Sequence, residues 1–498
     1  MLVGDVLNKV AAEKGDKTAA FFANDTISYK ELNIRSNKLA HGLIDLGIEP
    51  ENMVSIMLPN SLEFLTAYFG VIKSGATMVP INIMFKVPAV EYILNNSEAK
   101  AVITSRGFLP LLKKCELDYL ENIILVDEKE EETIHIDEFA DKSDKLPELQ
   151  NVDEQSVAAC LYTSGTTGDP KGAMLTHHNL IYDTEATIEH LHVDDTGRYI
   201  CVLPMFHAFA ETVCMLMPIF LGADIVIAEK FLPEKVLRTI QEKNVTFFTG
   251  VPTMYTALLN VKNRDQYNLS HLKLCLSGGA AMPQQIMKEF EETFNVTIIE
   301  GNGPTETSPV AYANPPKGIR KPTSVGLPIP GTAVKIVDKD DNELPRGEIG
   351  EIAVKGDNVM KGYFKNPEAT KKALRGGWFH TGDLGKMDED GYIYIVDRKK
   401  DMINVGGMNV YPREIEEQLY KHPKILEAAV VAAKDELRGE IPKAVIVLKE
   451  GETATEREIR TYCMEYFANY KIPKLVDFVD ELPKGTTGKI DKKVLRDL

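Results

Sequence analysis

Helical and strand-like stretches alternate along most of this chain, and that rhythm restricts the fold more than any other feature. Leu32, Leu39, Leu43 and Leu46 recur at near-helical spacing after Tyr29, and Gly47 offers a C-terminal stop before the strand-like MVSIML. Asn60, with Glu63 three residues on, predicts a capping-box start for a helix running to about Ser74, ended by Gly75 before ATMVPI. Further on, helices predicted near 211–221, 233–242, 253–260 and 283–294 precede the strand-like DIVIA, VTFFT, LKLCL and VTIIE. Strands separated by helices pair in parallel and need helices over their faces, so the expected class is α/β with parallel-rich sheets.

The 498 residues are enough for about three domains' worth of chain, and 44% hydrophobic content supports a sizeable core. A formal charge of -17, from 57 Lys+Arg against 74 Asp+Glu, argues against a broad nucleic-acid or anionic-membrane surface. An anionic substrate must then be drawn in by a local site. Cysteines 115, 160, 201, 214, 275 and 463 form no CxxC pair, and three lie in apolar runs, as free thiols in a reducing cytoplasm do. Asp5 and Lys9 interrupt any signal-peptide stretch at the N-terminus. The most apolar later window, Val213 to Ala228, contains Pro218, Gly222 and Asp224 and falls short of the roughly 20 residues of a membrane helix. The acidic run DEKEEE at 127–132 reads as a solvated loop.

In open α/β sheets, ligands bind beyond the carboxyl ends of the strands. Three Gly-rich loops stand at such places: YTSGTTGDPKG (162–172) after an apolar strand, SGGAA (277–281) after LKLCL, and GNGPTE (301–306) after VTIIE. The first offers the hydroxyls of Thr163, Ser164, Thr166 and Thr167, the glycines 165, 168 and 172, and Lys171, a set suited to an anion such as phosphate. Pro170 before Lys171 departs from the Walker pattern, so an ordinary P-loop NTPase is disfavoured. Composition alone leaves a phosphate cradle and a surface loop about equally supported. From about Gly347 the pattern becomes short alternating strands typical of antiparallel sheet. After the charge cluster RKKD, helix, strand, strand and helix at 412–421, 426–433, 443–449 and 455–467 predict a small α+β domain.

YTSGTTGDPKG, GNGPTET, GWFHTGDLG, DRKKDMINVGGMNVYP and PKGTTGKID occur in the order found in the adenylate-forming enzymes. The chain resembles these enzymes, which include acyl-CoA synthetases, luciferases and the adenylation domains of peptide synthetases, over nearly its whole length. It is most like the bacterial medium- and long-chain fatty acid–CoA ligases. The resemblance implies a large N-terminal adenylation domain (1–399), of parallel-rich sheets covered by helices plus a small β-barrel-like part. It implies a small mobile α+β C-terminal domain (400–498) that carries a catalytic lysine. It further implies a two-step reaction, in which a carboxylate and MgATP give acyl-adenylate and pyrophosphate, and the thiol of CoA then takes the acyl group.

By the same resemblance the 163–171 loop cradles the outer phosphates, Thr305 contacts the α-phosphate, and Glu306, with Thr163, holds Mg²⁺. Gly279, Ala280, Gly301, Asn302 and Gly303 belong to the nucleotide site, Asp383 accepts the ribose hydroxyls, and Arg398 is a second ribose or phosphate contact. Lys489 reaches the reacting carboxylate, Lys400 occupies the hinge position, and Gly406 and Gly407 border the path of the pantetheine arm. Such groups suit an anion attacking an anion, where positioning and electrostatic stabilisation must dominate catalysis. Many relatives carry Tyr or Trp where Asn302 stands, and an amide cannot stack on adenine as a ring does.

His207 and Phe209 fall where the family places a histidine or aromatic beside the acyl group, and Thr212, Val213, Leu216, Gly250, Val251, Ser277, Gly278, Gly279 and Val310 form the implied acyl wall. That wall is apolar or small, as an aliphatic chain needs. Amino-acid-activating relatives put Asp at the 207 position, so an amino group finds no anion here. A medium- or long-chain fatty acid is the expected substrate, with an arylpropenoic or short branched acid as alternatives. Other readings are acyl transfer to a carrier protein, a luciferase-type oxygenase and, in a different class, a non-catalytic acyl or nucleotide sensor. The expected protein is a cytoplasmic monomer or homodimer.

Overall fold

The computed structural model describes residues 1–163, 170–485 and 488–497. Two parallel-rich sheets organise most of the chain. In the first, Thr18–Phe22, Asp224–Ile227, Arg198–Cys201, Phe247–Gly250, Leu274–Ser277 and Thr297–Asn302 run parallel and side by side. Antiparallel strands flank them, Asp25–Ser28 at one edge and Tyr312–Ala313 followed by Leu327–Pro328 at the other. In the second, Val157–Thr163, Thr77–Pro80, Met53–Met57, Ala101–Thr104, Asn122–Leu125 and Ile134–His135 are parallel. Lys171–Thr176 and Gly362–Tyr363 extend that sheet in antiparallel fashion.

The helix Leu62–Lys73 is buried at every position but Glu63, so its apolar character runs around the whole cylinder. Its N-cap is Ser61, whose Oγ accepts from the Phe64 backbone N–H at 3.1 Å, so the cap stands one residue later than the capping box at Asn60 predicted. Asn60 has other partners. Its Nδ2 donates to the carbonyls of Leu203 (2.9 Å) and Ala228 (3.1 Å), and its Oδ1 accepts from Met205 N–H at 2.7 Å. The side chain thereby ties the buried helix to the segment that leads into His207.

The helix expected near 211–221 is broken into pieces. Ala208–Ala210 opens it, Glu211–Leu216 is a π-helix, and Met217–Leu221 resumes α geometry. The stretch expected as barrel-like is an antiparallel sheet in the order Ala333–Val337, Gly350–Lys355, Phe379–Met387, Ile393–Arg398.

Beyond it, Pro412–Leu419, Ile425–Asp435, Gly439–Leu448 and Glu456–Met464 pack about a core of their own that includes Ile403, Ile415, Leu419, Val430, Ile446 and Ile459. The long hairpin of this small domain is several residues longer than sequence spacing predicted, and Leu475–Phe478 joins it in parallel. The six cysteines are unpaired, five of them buried and Cys115 half-buried. Among the described residues no helix is long and apolar enough to cross a membrane.

Replacing Ser61 by Ala removes the side-chain acceptor that caps the buried helix, and the expected cost is about 1 kcal/mol of stability, read as a lower urea midpoint at unchanged slope.

Candidate active site

The loop that follows Leu274–Ser277 brings Gly278 and Gly279 to the carboxyl edge of the first sheet. Gly279 has φ +77°, and a Cβ there would stand 2.6 Å from Cε of Lys489 and 3.0 Å from its Nζ. Glycine at 279 therefore leaves the place that the lysine occupies. The lysine comes from the far end of the chain. Its approach is held by Thr253 Oγ1 donating to the Gly488 carbonyl at 2.7 Å and by Gly485 N–H donating to the Lys489 carbonyl at 2.7 Å.

Burial and the neighbouring charge of Arg398 lower the Lys489 pKa to about 8, with Asp383 opposing. Asp383, itself 6% exposed, is raised from its ordinary value by burial, and the charges of Arg398, Glu306 and Lys489 all act on it. Arg398 Nε lies 3.4 Å from Asp383 Oδ1, across the register pair of their two strands. Lys489, Asp383, Arg398 and Glu306, distant in sequence, thus share one site.

His207 caps the short helical turn at Ala208–Ala210, its Nδ1 accepting from Phe209 N–H at 3.2 Å. Desolvation, then the charge of Lys489, lowers its pKa to about 3, so the imidazole is neutral at physiological pH. Phe209 packs on Gly278, where a Cβ would sit 2.8 Å from the ring, and Val251 lies against Gly279. Thr212, Val213, Val251, Ser277 and Val310 are buried, and Thr212 Oγ1 donates to the Ser308 carbonyl at 2.7 Å. These contacts bring the implied acyl wall beside the lysine.

Gly301 and Asn302 are the last residues of the Thr297–Asn302 strand, Asn302 pairing with Tyr312. At Gly303 a Cβ would meet the Pro309 carbonyl oxygen at 1.9 Å, so backbone crowding alone requires glycine. The chain then turns through Thr305–Thr307, which presents Glu306. Tyr363 Oη donates to Glu306 Oε1 at 2.8 Å, and Lys171 Nζ lies 5.4 Å from the centroid of the Tyr363 ring.

Thr163 pairs with Lys171 in register, its Oγ1 3.5 Å from the Lys171 carbonyl. Ser164, Gly165, Thr166, Thr167 and Gly168, expected to cradle phosphate, lie outside the described residues. Ala280 follows Gly279 at the same sheet edge, and Gly250 pairs with Ser277. Lys400 sits in the turn between Ile393–Arg398 and Ile403–Val405. Gly406 and Gly407, at φ +60° and +90°, form the exposed tip of the hairpin between Ile403–Val405 and Met408–Val410, where added Cβ atoms would meet nothing within 4 Å. In this arrangement left-handed backbone, not crowding, is what calls for glycine there.

Sequence reasoning missed Tyr363 and Tyr312. Tyr363 orients Glu306, and Tyr312 is fully buried with its phenol acted on by burial and then by Asp383. Neither carries a signal at the level of composition; only the pairing of Gly362–Tyr363 with the return strand Lys171–Thr176 brings the first into place.

Residues 7–364 match the model of the AMP-binding enzyme family, and residues 414–489 match that of the AMP-binding enzyme C-terminal domain. The chain belongs to this family. It is 37% identical to a long-chain-fatty-acid–CoA ligase of Bacillus subtilis, covering 98% of this chain and 93% of that protein. It is 35% identical to a long-chain-fatty-acid–CoA ligase of Escherichia coli, with 99% and 94% covered. Among solved structures, the anthranilate CoA ligase AuaEII in complex with anthranoyl-AMP superposes with TM-score 0.94 at 31% identity, over 100% of this chain and 97% of that one. ATP-bound MatB from Rhodopseudomonas palustris superposes with TM-score 0.91 at 32% identity, over 100% and 99%.

Two outcomes follow for this AMP-binding enzyme. Tyr363→Phe keeps the ring and removes the donor to Glu306, so KM for MgATP should rise by about tenfold, the worth of a hydrogen bond to a charged group, measured in pyrophosphate release. Because Lys489 is charged only below its lowered pKa, the rate of adenylate formation should fall as pH rises through about 8, while acyl transfer from a supplied acyl-adenylate lacks that limb.

Proposed function

We propose that this enzyme is an AMP-forming acyl-CoA synthetase acting on a medium- or long-chain fatty acid. The observation that carries the reading is Lys489 seated on Gly279, in one site with Asp383, Arg398, Glu306 and His207. A binder has no need of an ammonium group at that point. Acid activation does, because carboxylate and triphosphate repel each other.

In the first half-reaction a substrate carboxylate oxygen attacks the α-phosphorus, the bond between the α-phosphorus and the oxygen that bridges to the β-phosphorus breaks, and that oxygen leaves as part of pyrophosphate. Lys489 offsets the charge that gathers between the carboxylate and the α-phosphate, and Thr305 donates to the α-phosphate. Asp383 accepts the ribose hydroxyls through its two oxygens, and Arg398 closes over that ribose. The 163–171 loop, with Lys171, receives the outer phosphates.

Glu306 and the Thr163 hydroxyl offer oxygen donors, and among the described residues no group of three metal-binding side chains exists. One carboxylate and a hydroxyl suit Mg²⁺, which keeps waters and takes its other ligands from the nucleotide. When bound there, Mg²⁺ would neutralise phosphate charge. Tyr363 holds Glu306 Oε1 and so leaves the other oxygen of the carboxylate for that task.

In the second half-reaction the CoA sulfur attacks the acyl carbonyl and AMP departs. Lys489 occupies the approach in the present arrangement, so the small domain turns about Lys400 to bring Gly406 and Gly407 to the thiol path. Neutral His207 stands beside the acyl group without adding a charge that would compete for the carboxylate. The apolar wall around Val213, Val251 and Val310 and the absence of an anion at 207 favour an aliphatic chain, in line with the two long-chain-fatty-acid–CoA ligases that resemble it. The likeness to an anthranilate CoA ligase supports an aromatic acid as the second reading.

The test is AMP release with MgATP from acetate to stearate plus benzoate and coumarate, with and without CoA. CoA-dependent turnover that peaks on aliphatic chains is expected; a peak on the aromatic acids selects the second reading, turnover only with a holo-carrier protein replaces CoA as acceptor, and silence on every acid overturns the ligase. Lys489→Ala should nearly abolish adenylate formation and leave transfer from a supplied acyl-adenylate to CoA largely intact. Equal loss in both half-reactions would contradict the two arrangements.

A further inference from the structure

Arg413 is a side chain of the small domain that reaches across to the large one, and the reaction steps above give it no task. It lies in the first turn of the helix Pro412–Leu419, whose Ile415 and Leu419 are fixed in the core of the small domain. Its side chain points away from that core. Nη1 donates to the Ile395 carbonyl at 2.7 Å, and Nη2 stands 3.9 Å from Glu300 Oε1, the two side chains of the pair being only 12% and 2% exposed. Ile395 packs against the main core of the large domain, and Glu300 belongs to the strand Thr297–Asn302.

The backbone of Arg413 crosses the same boundary. The N-cap of its helix is Tyr411, which provides no side-chain acceptor, and the Arg413 N–H donates instead to Asp397 Oδ2 at 3.0 Å. The other oxygen of Asp397 accepts from the Arg398 N–H at 2.8 Å, so one buried carboxyl group joins the ribose contact to the helix start. Ile395 and Asp397 precede Lys400 in the chain, and Arg413 follows it. Ile490, next to Lys489, packs on the hairpin of the small domain, so Lys489 and Arg413 ride on one body. A turn about Lys400 that withdraws Lys489 from Gly279 therefore also pulls Arg413 away from Glu300 and the Ile395 carbonyl.

That separation is unfavourable for the large domain. Glu300 Oε1 also accepts from the Met282 N–H at 2.9 Å, but Oε2 is buried with no hydrogen-bond partner among the described residues. Burial raises Glu300 to about 7, and the charge of Arg413 is the strongest effect opposing that rise. Arg413 also favours the ionised form of Glu417, four residues on along its own helix. Withdrawing the guanidinium leaves buried Glu300 without its cation.

We propose that Arg413 is a positioning residue that latches the small domain in the adenylate-forming arrangement by holding Glu300 and the Ile395 carbonyl, and that this contact opens before the thiol of CoA is admitted. The inference rests on the two-arrangement reading of the reaction. Because the latch sets how much of the enzyme stands in one arrangement, it acts on one half-reaction and not on both.

The experiment compares the wild type with Arg413→Ala, Arg413→Lys and Glu300→Gln as full-length enzymes at about pH 7.5, between the values of Glu300 and Lys489. Pyrophosphate release at saturating MgATP, with the acid that turns over fastest, reports the first half-reaction. Transfer from the matching supplied acyl-adenylate to CoA reports the second. Arg413→Ala is expected to slow the first at least about tenfold and to leave the second unchanged or faster. Arg413→Lys keeps the charge but not the forked geometry, and its rate of adenylate formation should fall between the two. Glu300→Gln keeps an acceptor for Met282 and is read by amide hydrogen exchange. Residues 411–420 should exchange at least about threefold faster than in the wild type, while the strands Ile425–Asp435 and Gly439–Leu448 exchange as before. A change in one domain is thereby read in the other.

Equal loss in both half-reactions of Arg413→Ala, or no loss in the first, overturns the latch. So does exchange of 411–420 that is the same in Glu300→Gln and the wild type. A split between half-reactions that appears for Lys489→Ala but not for Arg413→Ala removes the latch and leaves the two arrangements standing. If no acid is turned over, the ligase reading fails and exchange alone decides the contact: faster exchange supports the tie between the domains, and unchanged exchange overturns it.

Discussion

An ammonium group delivered by the last turns of the chain onto a glycine of the large domain is the contact on which the active arrangement depends. Lys489 is surrounded by Arg398, Asp383 and His207, and burial lowers its pKa to about 8 while Asp383 opposes the fall. The contact needs three separate conditions. Gly279 must have no Cβ, the Gly488 carbonyl must be anchored on Thr253, and the small domain must be turned so that its final loop reaches the sheet edge. Arg413 contributes to that orientation. It lies on the small domain's first helix, donates from Nη1 to the Ile395 carbonyl and stands 3.9 Å from buried Glu300 of the large domain.

The rest of the large domain serves to hold the opposite side of the site still. The buried helix Leu62–Lys73 acts as its spine. At one end Asn60 collects the backbone that leads to His207, in the middle Tyr68 reaches Glu211, and at the far end Lys73 Nζ is held by Asn33 Oδ1 (2.6 Å), Ser36 Oγ (2.9 Å) and Asn37 Oδ1 (2.8 Å). Held by these neutral acceptors, Lys73 is lowered by desolvation to about 7, with the charge of Asp5 opposing. A second brace runs through the other sheet, where Tyr363 from a short edge strand fixes Glu306 while the same strand pairs with Lys171–Thr176.

Much of this was legible without coordinates because it depends on near neighbours in the chain. The alternation of helix and strand gave the parallel-rich sheets, since apolar periodicity reports which face of each element is buried. The Gly-rich stretches at 277–281 and 301–306 stand at the carboxyl ends of strands as spacing implied, their first residues still part of Leu274–Ser277 and Thr297–Asn302. The misplaced cap shows the limit. Asn60 and Ser61 are both good capping residues, and only the distant carbonyls of Leu203 and Ala228 draw Asn60 away.

Tertiary structure alone decided what stands beside what. Nothing local to Tyr363 connects it with Glu306, nothing near Glu211 announces the Tyr68 phenol, and the π-helical turn replaces the regular helix that the 211–221 pattern favours. The residue types and their order therefore determined the class of fold and the identity of the charged groups, whose signals are carried by short-range periodicity and turn chemistry. The charge state of Lys489, His207, Asp383 and Glu211 was settled only by folding, because it depends on desolvation and on charges brought together from opposite ends of the chain.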